Sequence, residues 1–104
     1  MDMELTRVFD TLKDADGNPA AGKLVIRNPA FIAADGTAVA AGILPHLIPT
    51  AFPGLVDLLL APTEGADPIE TSYTVDYYLK NGAAYSERWQ IPRIGPITIS
   101  QARA

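Results

Sequence analysis

At 104 residues, with a formal charge of −4 and no cysteine, the chain has the size of one domain. It must hold together through its core or by oligomerisation, without disulfides or thiolate metal sites. Eight Lys and Arg, scattered among twelve Asp and Glu, exclude a protein that neutralises nucleic-acid phosphates. MDMELTR lacks the basic start and apolar run of a signal peptide, and GLVDLLLAP is far shorter than the ~20 apolar residues that span a bilayer, so a soluble chain without membrane insertion is expected.

Nine prolines and eight glycines leave no window for an amphipathic helix of ordinary length, which is the punctuation of an all-β domain. LTRVFDTL, residues 5–12, alternates as a strand does, and DADGNPAAG follows as a turn. KLVIR, residues 23–27, is a second strand ending at Asn28-Pro29, and FIAADGTAVAAGIL folds as a short hairpin or bend at Asp35-Gly36. In the proline-spaced loop at 44–54, Leu44, Leu47, Ile48 and Phe52 stand among Pro45, Pro49 and Pro53. Each proline removes a ladder donor, so a central strand is excluded and an extended edge or a long loop remains. LVDLLLA from Leu55 places Val56, Leu58 and Leu60 on one face, and PTEGADPIET is a surface loop.

YTVDYYLKNGAAYSERWQIP, residues 73–92, holds most of the aromatic residues around one Asn-Gly, a strong hairpin signal. A two-residue turn would set Asp76 opposite Glu87, facing like charges. A three-residue loop with Gly82 at the left-handed bulge position instead pairs Tyr73 with Trp89, Tyr77 with Tyr85 and Leu79 with Ala83. In that register Tyr73, Val75, Tyr77, Tyr85 and Trp89 form an apolar inner wall, with Glu87 as the misfit that needs an edge or a partner. Thr74, Asp76, Tyr78, Ser86 and Arg88 face outward, with Asp76 and Arg88 close enough to interact diagonally. A last strand is predicted at Ile97–Ser100 and a short polar tail in SQARA. The expected fold is a single immunoglobulin-like antiparallel β-sandwich of about seven strands over residues 1–104.

No catalytic constellation accompanies this framework. His46 is the lone histidine and reads as a surface or packing residue. DADGN, residues 14–18, imitates the start of an EF-hand loop, but the twelfth position is Val25 where a bidentate carboxylate is required, so a plain turn is expected. The loop that carries Glu64 and Asp67 is explained by its turn residues. None of Ser72, Ser86 and Ser100 lies in a nucleophile-elbow context, and no glycine cluster precedes a helix to cradle phosphate. The expectation is a non-enzyme with no cofactor and no metal. Leu44, His46, Leu47, Ile48 and Phe52 are the candidate protein-interaction residues, which either cap the open end of the sandwich or meet another chain. Tyr78, with Asp76 and Arg88, is the candidate glycan contact; the plainer alternative is a tyrosine covering a sheet face.

The order LKDADGNPAAGKLVIR, ADGTAVAAG, then VDLLLAPTEGADP and a Tyr-x-Val strand whose partner ends in Glu87, Trp89 and Pro92 resembles the small immunoglobulin-like or carboxypeptidase-regulatory-like modules of tailed-bacteriophage virion proteins. The resemblance spans roughly residues 8–93 and is carried by turns and strand ends, Asp16, Gly17 and Pro19 among them. The long 44–54 segment departs from it. The resemblance implies structural or adhesive work in a virion, at a tail fibre or tail tip, with capsid decoration as the alternative. The implied partners are other virion proteins, copies of the chain in a homo-oligomer, and a host-surface glycan. The implied location is the virion, assembled in the host cytoplasm.

Overall fold

Where apolar residues alternate, the chain forms strands: β1 (Thr6–Thr11), β2 (Gly22–Asn28), β3 (Phe31–Ile32), β4 (Ala38–Val39), β5 (Gly42–Leu47), β6 (Leu55–Leu60), β7 (Tyr73–Leu79) and β8 (Ala84–Trp89), followed by one helical turn, α1 (Ile99–Ala102). The computed structural model describes residues 4–103; residues 1–3 and 104, the ends of the expected 1–104 domain, lie outside the described residues. A four-stranded antiparallel sheet in the order β5-β2-β7-β8 faces the two-stranded sheet β1-β6, and β3-β4 is a separate ribbon in the β2–β5 connection. The fold is an all-β sandwich. Of its eight strands six are six or seven residues long, and the Asp35-Gly36 hairpin forms as a two-residue ribbon.

The core is the product of strand periodicity. Val8, Val56, Leu58 and Leu60 project from one sheet onto Leu24, Ile26, Tyr73, Val75, Tyr77 and Trp89 of the other, and all ten are buried. Each large side chain sealed this way contributes about 1.5–3 kcal/mol of transfer free energy. The β7–β8 hairpin adopts the bulged register, with Tyr73 opposite Trp89 and Tyr77 opposite Tyr85, and the Leu79 N–H donates to the Ala83 carbonyl at 3.0 Å. Gly82 has φ 91°, the left-handed conformation that the bulge requires. Tyr85 departs from the expected inner wall. It stacks on Tyr77 with ring centroids 4.4 Å apart, yet stays 41% exposed, because β8 is an edge strand and this end of it reaches past the facing sheet.

The C-terminal segment corrects two expectations. Ile97 bridges β1 in parallel, exchanging hydrogen bonds with Arg7 and Phe9, but the chain then turns into α1 and does not continue as a strand. The reason is a capping box: the Thr98 side chain accepts from the Gln101 N–H, and the Gln101 side chain accepts from the Thr98 N–H. SQARA is accordingly no free tail. Ala102 is buried, its carbonyl accepts from the Gln90 N–H at 2.7 Å, and Arg103 bridges Trp89. Residues 97–103 thereby tie β8 to β1 and close that side of the sandwich. Across from it, among the described residues, the β6 and β5 edges carry no further strand.

The expected loop at 44–54 also begins differently. Residues 42–47 are an edge strand on β2, the extended alternative that the prolines left open. The Ile48 N–H donates to the Gly22 carbonyl at 3.0 Å, so by strand alternation the backbone of Pro45 points away from β2. Its missing N–H therefore breaks no ladder bond.

Candidate interaction surfaces

Register sets which side chains of β5 meet solvent. Leu44 and His46 lie opposite Ile26 and Leu24 and share their inward phase, whereas Ile43, Pro45 and Leu47 lie opposite Arg27, Val25 and Lys23 on the outer face. The candidate residues therefore divide. Ile48 is buried in the core, which removes it from the interaction surface and makes it the cap. Leu47 and Phe52 are 71% and 65% exposed, and the unanticipated Ile43 is 69% exposed. Leu44 is half-exposed because β6 stops short of covering β5. The His46 ring is partly covered, and its Nε2 is buried with no hydrogen-bond partner. Ile43 was legible in the alternation of GILPHL once that stretch is taken as a strand.

The outer face of the four-stranded sheet is built in rows. One row runs Ile43, Arg27, Thr74, Arg88; the next runs Pro45, Val25, Asp76, Ser86; the third runs Leu47, Lys23, Tyr78, Ala84. Tyr78, Asp76 and Arg88 share this face as expected, but they do not act together. Asp76 pairs with Arg27 at 2.9 Å and accepts from the Ser86 hydroxyl, in place of the diagonal contact with Arg88. The Lys23 ammonium stands 5.6 Å from the Tyr78 ring centroid, so part of that ring is already covered. Thr74 and Tyr78 are four residues apart on one strand, roughly 13 Å, so Tyr78 and Arg88 stand in different rows of the face. Arg88 makes no ion pair among the described residues. Arg27 and Lys23 escaped the sequence reading because β2 had not been identified as the strand beside β7; the outward phase of Lys23-x-Val25-x-Arg27 was the available signal.

Arg88 borders an open groove of about 460 Å³ walled by Pro29 and Ala30 on one side and residues 68–72 on the other, with Arg27 and Thr74 in its floor. The Thr71 hydroxyl donates to the Pro68 carbonyl at 2.6 Å and fixes the 68–72 wall. A smaller cavity of about 360 Å³ lies between Thr63–Gly65 and Gln101–Arg103 at the end of the sandwich.

Inside, the misfit Glu87 has found partners. Its carboxylate accepts from the Tyr77 hydroxyl and from Trp89 Nε1 at 2.9 Å, and it pairs with Arg103 Nε at 2.7 Å. Burial and the neighbouring carboxylate push the Tyr77 phenol far above its ordinary range. Burial likewise pushes Tyr73 up to about 12, and its hydroxyl donates to the Ala61 carbonyl at 2.7 Å. On the exposed face of β1-β6, Arg7 grips Asp57 through Nε at 2.8 Å and Nη2 at 2.9 Å, which lowers the carboxyl below its usual range.

The DADGN turn is a turn: Asp14 Oδ1 accepts from the Asp16 and Asn18 N–H groups at 3.0 Å each. Glu64 accepts from the Arg93 N–H at 3.2 Å. Among the described residues, no three His, Asp or Glu side chains converge as a metal site, and no helix is long and apolar enough to cross a membrane. What the surface offers is therefore an apolar edge at β5 and the 49–54 turn, and a polar groove floored by two arginines. Comparison of the chain with protein-family models, with curated proteins and with solved structures finds no match.

Proposed function

We propose that the chain is a non-enzymatic structural module of a tailed-bacteriophage virion, carried at a tail fibre or tail tip and held there by protein–protein contacts of its β5 edge. The observation that carries the contact is the set of Ile43, Leu47 and Phe52, three large apolar side chains each about two-thirds exposed on one edge strand and the turn after it. A domain that fills its core with Trp89, Tyr77 and Ile48 has no packing reason to leave these outside, and exposed apolar groups of this kind are characteristic of contact surfaces. The virion setting is supported by the resemblance in turns and strand ends across residues 8–93. Capsid decoration would use the same contact chemistry at a different place in the particle. Electron microscopy of virions labelled through this chain tests the location. Label at the tail supports the proposal, label over the capsid lattice replaces it with decoration, and unlabelled virions overturn both.

A further inference from the structure

The groove beside Arg88 goes beyond an assembly role, and its chemistry does not depend on where the module is mounted. Arg27, Thr74 and Arg88 occupy one row across β2, β7 and β8, so the two arginine Cα atoms lie about 10 Å apart with a threonine between them. Arg27 is held by Asp76 at 2.9 Å, whereas Arg88 is exposed and makes no ion pair among the described residues. In a chain of net charge −4, this puts one guanidinium without an ion pair at the border of an open groove of about 460 Å³, beside the half-buried Ser72 and Thr74.

The composition of the groove narrows its ligand. A free guanidinium presents a planar fork of donors that matches a carboxylate. Ser72 and Thr74 supply short hydroxyls that both donate and accept, and Glu70 on the wall only accepts, which is what ligand hydroxyl groups require. One guanidinium without an ion pair fits one carboxylate; a ligand with several negative charges would meet Glu70 with nothing left to neutralise the others. Pro29, Ala30 and Pro68 line the groove but no aromatic ring does, so it offers no flat face on which an aromatic ligand would stack. We propose that this groove binds a saccharide bearing one carboxylate, a single uronic-acid type of sugar, with Arg88 on the carboxylate and Ser72, Thr74 and Glu70 on the hydroxyls.

The test is a two-dimensional amide NMR titration of the whole chain with galacturonate, with neutral galactose and inorganic phosphate as parallel arms. Galacturonate is expected to shift the amides of residues 70–74 and 88 in a saturable way, and the neutral sugar is expected to leave them in place. Arg88→Ala should weaken that binding by about tenfold or more, the loss of one charge-assisted hydrogen-bond pair. Arg88→Lys, which keeps the charge without the fork, should fall between. Both substitutions are on the exposed face, and an unchanged spectrum away from the groove shows that the fold is intact. Equal shifts with galactose, no shift with galacturonate, or phosphate binding as tightly as the uronate would each overturn the proposal. Affinity unchanged in Arg88→Ala would overturn it as well.

Discussion

Arg103, one residue beyond α1, reaches back to Glu87 on β8 with Nε 2.7 Å from the carboxylate. Glu87 is on the inner face of its sheet, where a lone carboxylate would be costly. The ion pair, together with the Tyr77 hydroxyl and Trp89 Nε1, makes it an acceptor at the junction of hairpin and C-terminus. The two partners should not be equally sensitive to mutation. Glu87→Ala strands donors on two fully buried side chains and should cost about 2–3 kcal/mol, whereas Arg103→Ala removes a half-exposed cation and should cost about 0.5–1 kcal/mol. Urea unfolding of the two variants checks the ranking. A larger loss from Arg103→Ala would mean that the latch, not the buried donors, dominates.

Tyr73 begins β7 with its hydroxyl bonded to the Ala61 carbonyl at the end of β6, a corner between sheets like that of immunoglobulin domains. Its folded pKa of about 12 exceeds the ordinary 10, so folding favours the neutral phenol. This contribution to stability is complete below about pH 10 and declines as the pH rises from 10 toward 12, because the unfolded chain loses its proton first. Tyr77, raised in the same direction, adds to the decline. Urea midpoints measured across that window should fall for the wild type and fall less steeply for Tyr73→Phe, which should itself lose about 1 kcal/mol at neutral pH. Equal slopes in the two proteins would remove Tyr73 from the effect.

Two glycines with positive φ should respond very differently to a methyl group. At Gly22, φ is 133° and an added Cβ would lie 2.3 Å from the Tyr78 carbonyl oxygen and 2.8 Å from Leu79 Cα, both backbone atoms in the sheet. At Gly82, φ is 91° and nothing lies within 4 Å. Gly82→Ala pays only the left-handed conformational cost, about 1 kcal/mol. Gly22→Ala must in addition push β2 from β7 and should cost about 3 kcal/mol or more. Thermal or urea unfolding decides the order.

These sites show where the sequence was legible. The hairpin register was, because only one pairing gathers the rings on a single face and separates Asp76 from Glu87. So were the phase of β6 and the exclusion of the Pro45 segment from a central strand. The partner of Asp76 was not, since Arg27 is nearly fifty residues away and becomes a neighbour only once β2 inserts between β5 and β7. The partner of Glu87 was hidden for the same kind of reason, in a segment whose β-branched run, ITIS, favours a strand. The spacing of Thr98 and Gln101 carried the opposing signal, and the capping box prevailed over propensity because Asp10 Oδ2 also takes the Ile99 N–H at 3.1 Å. The arginine groove was invisible beforehand because its two arginines come from different ends of the chain.

The β5 edge joins apolar side chains to a guarded backbone, and the two can be separated by mutation. Pro45 points its nitrogen outward, so the exposed edge lacks a donor midway between Ile43 and Leu47. A missing donor at that place resists the addition of a strand from another molecule while leaving the outer face free to dock. Leu47→Lys should therefore reduce any concentration-dependent association, with stability within about 0.5 kcal/mol of wild type, since the side chain is 71% exposed. Pro45→Val should act in the opposite sense, restoring the outward N–H between Ile43 and Leu47 and giving an unbroken row of edge donors. Light scattering over time should show open-ended growth for Pro45→Val and a finite or absent oligomer for the wild type. Growth of the wild type at the same rate would mean that the proline does not guard this edge.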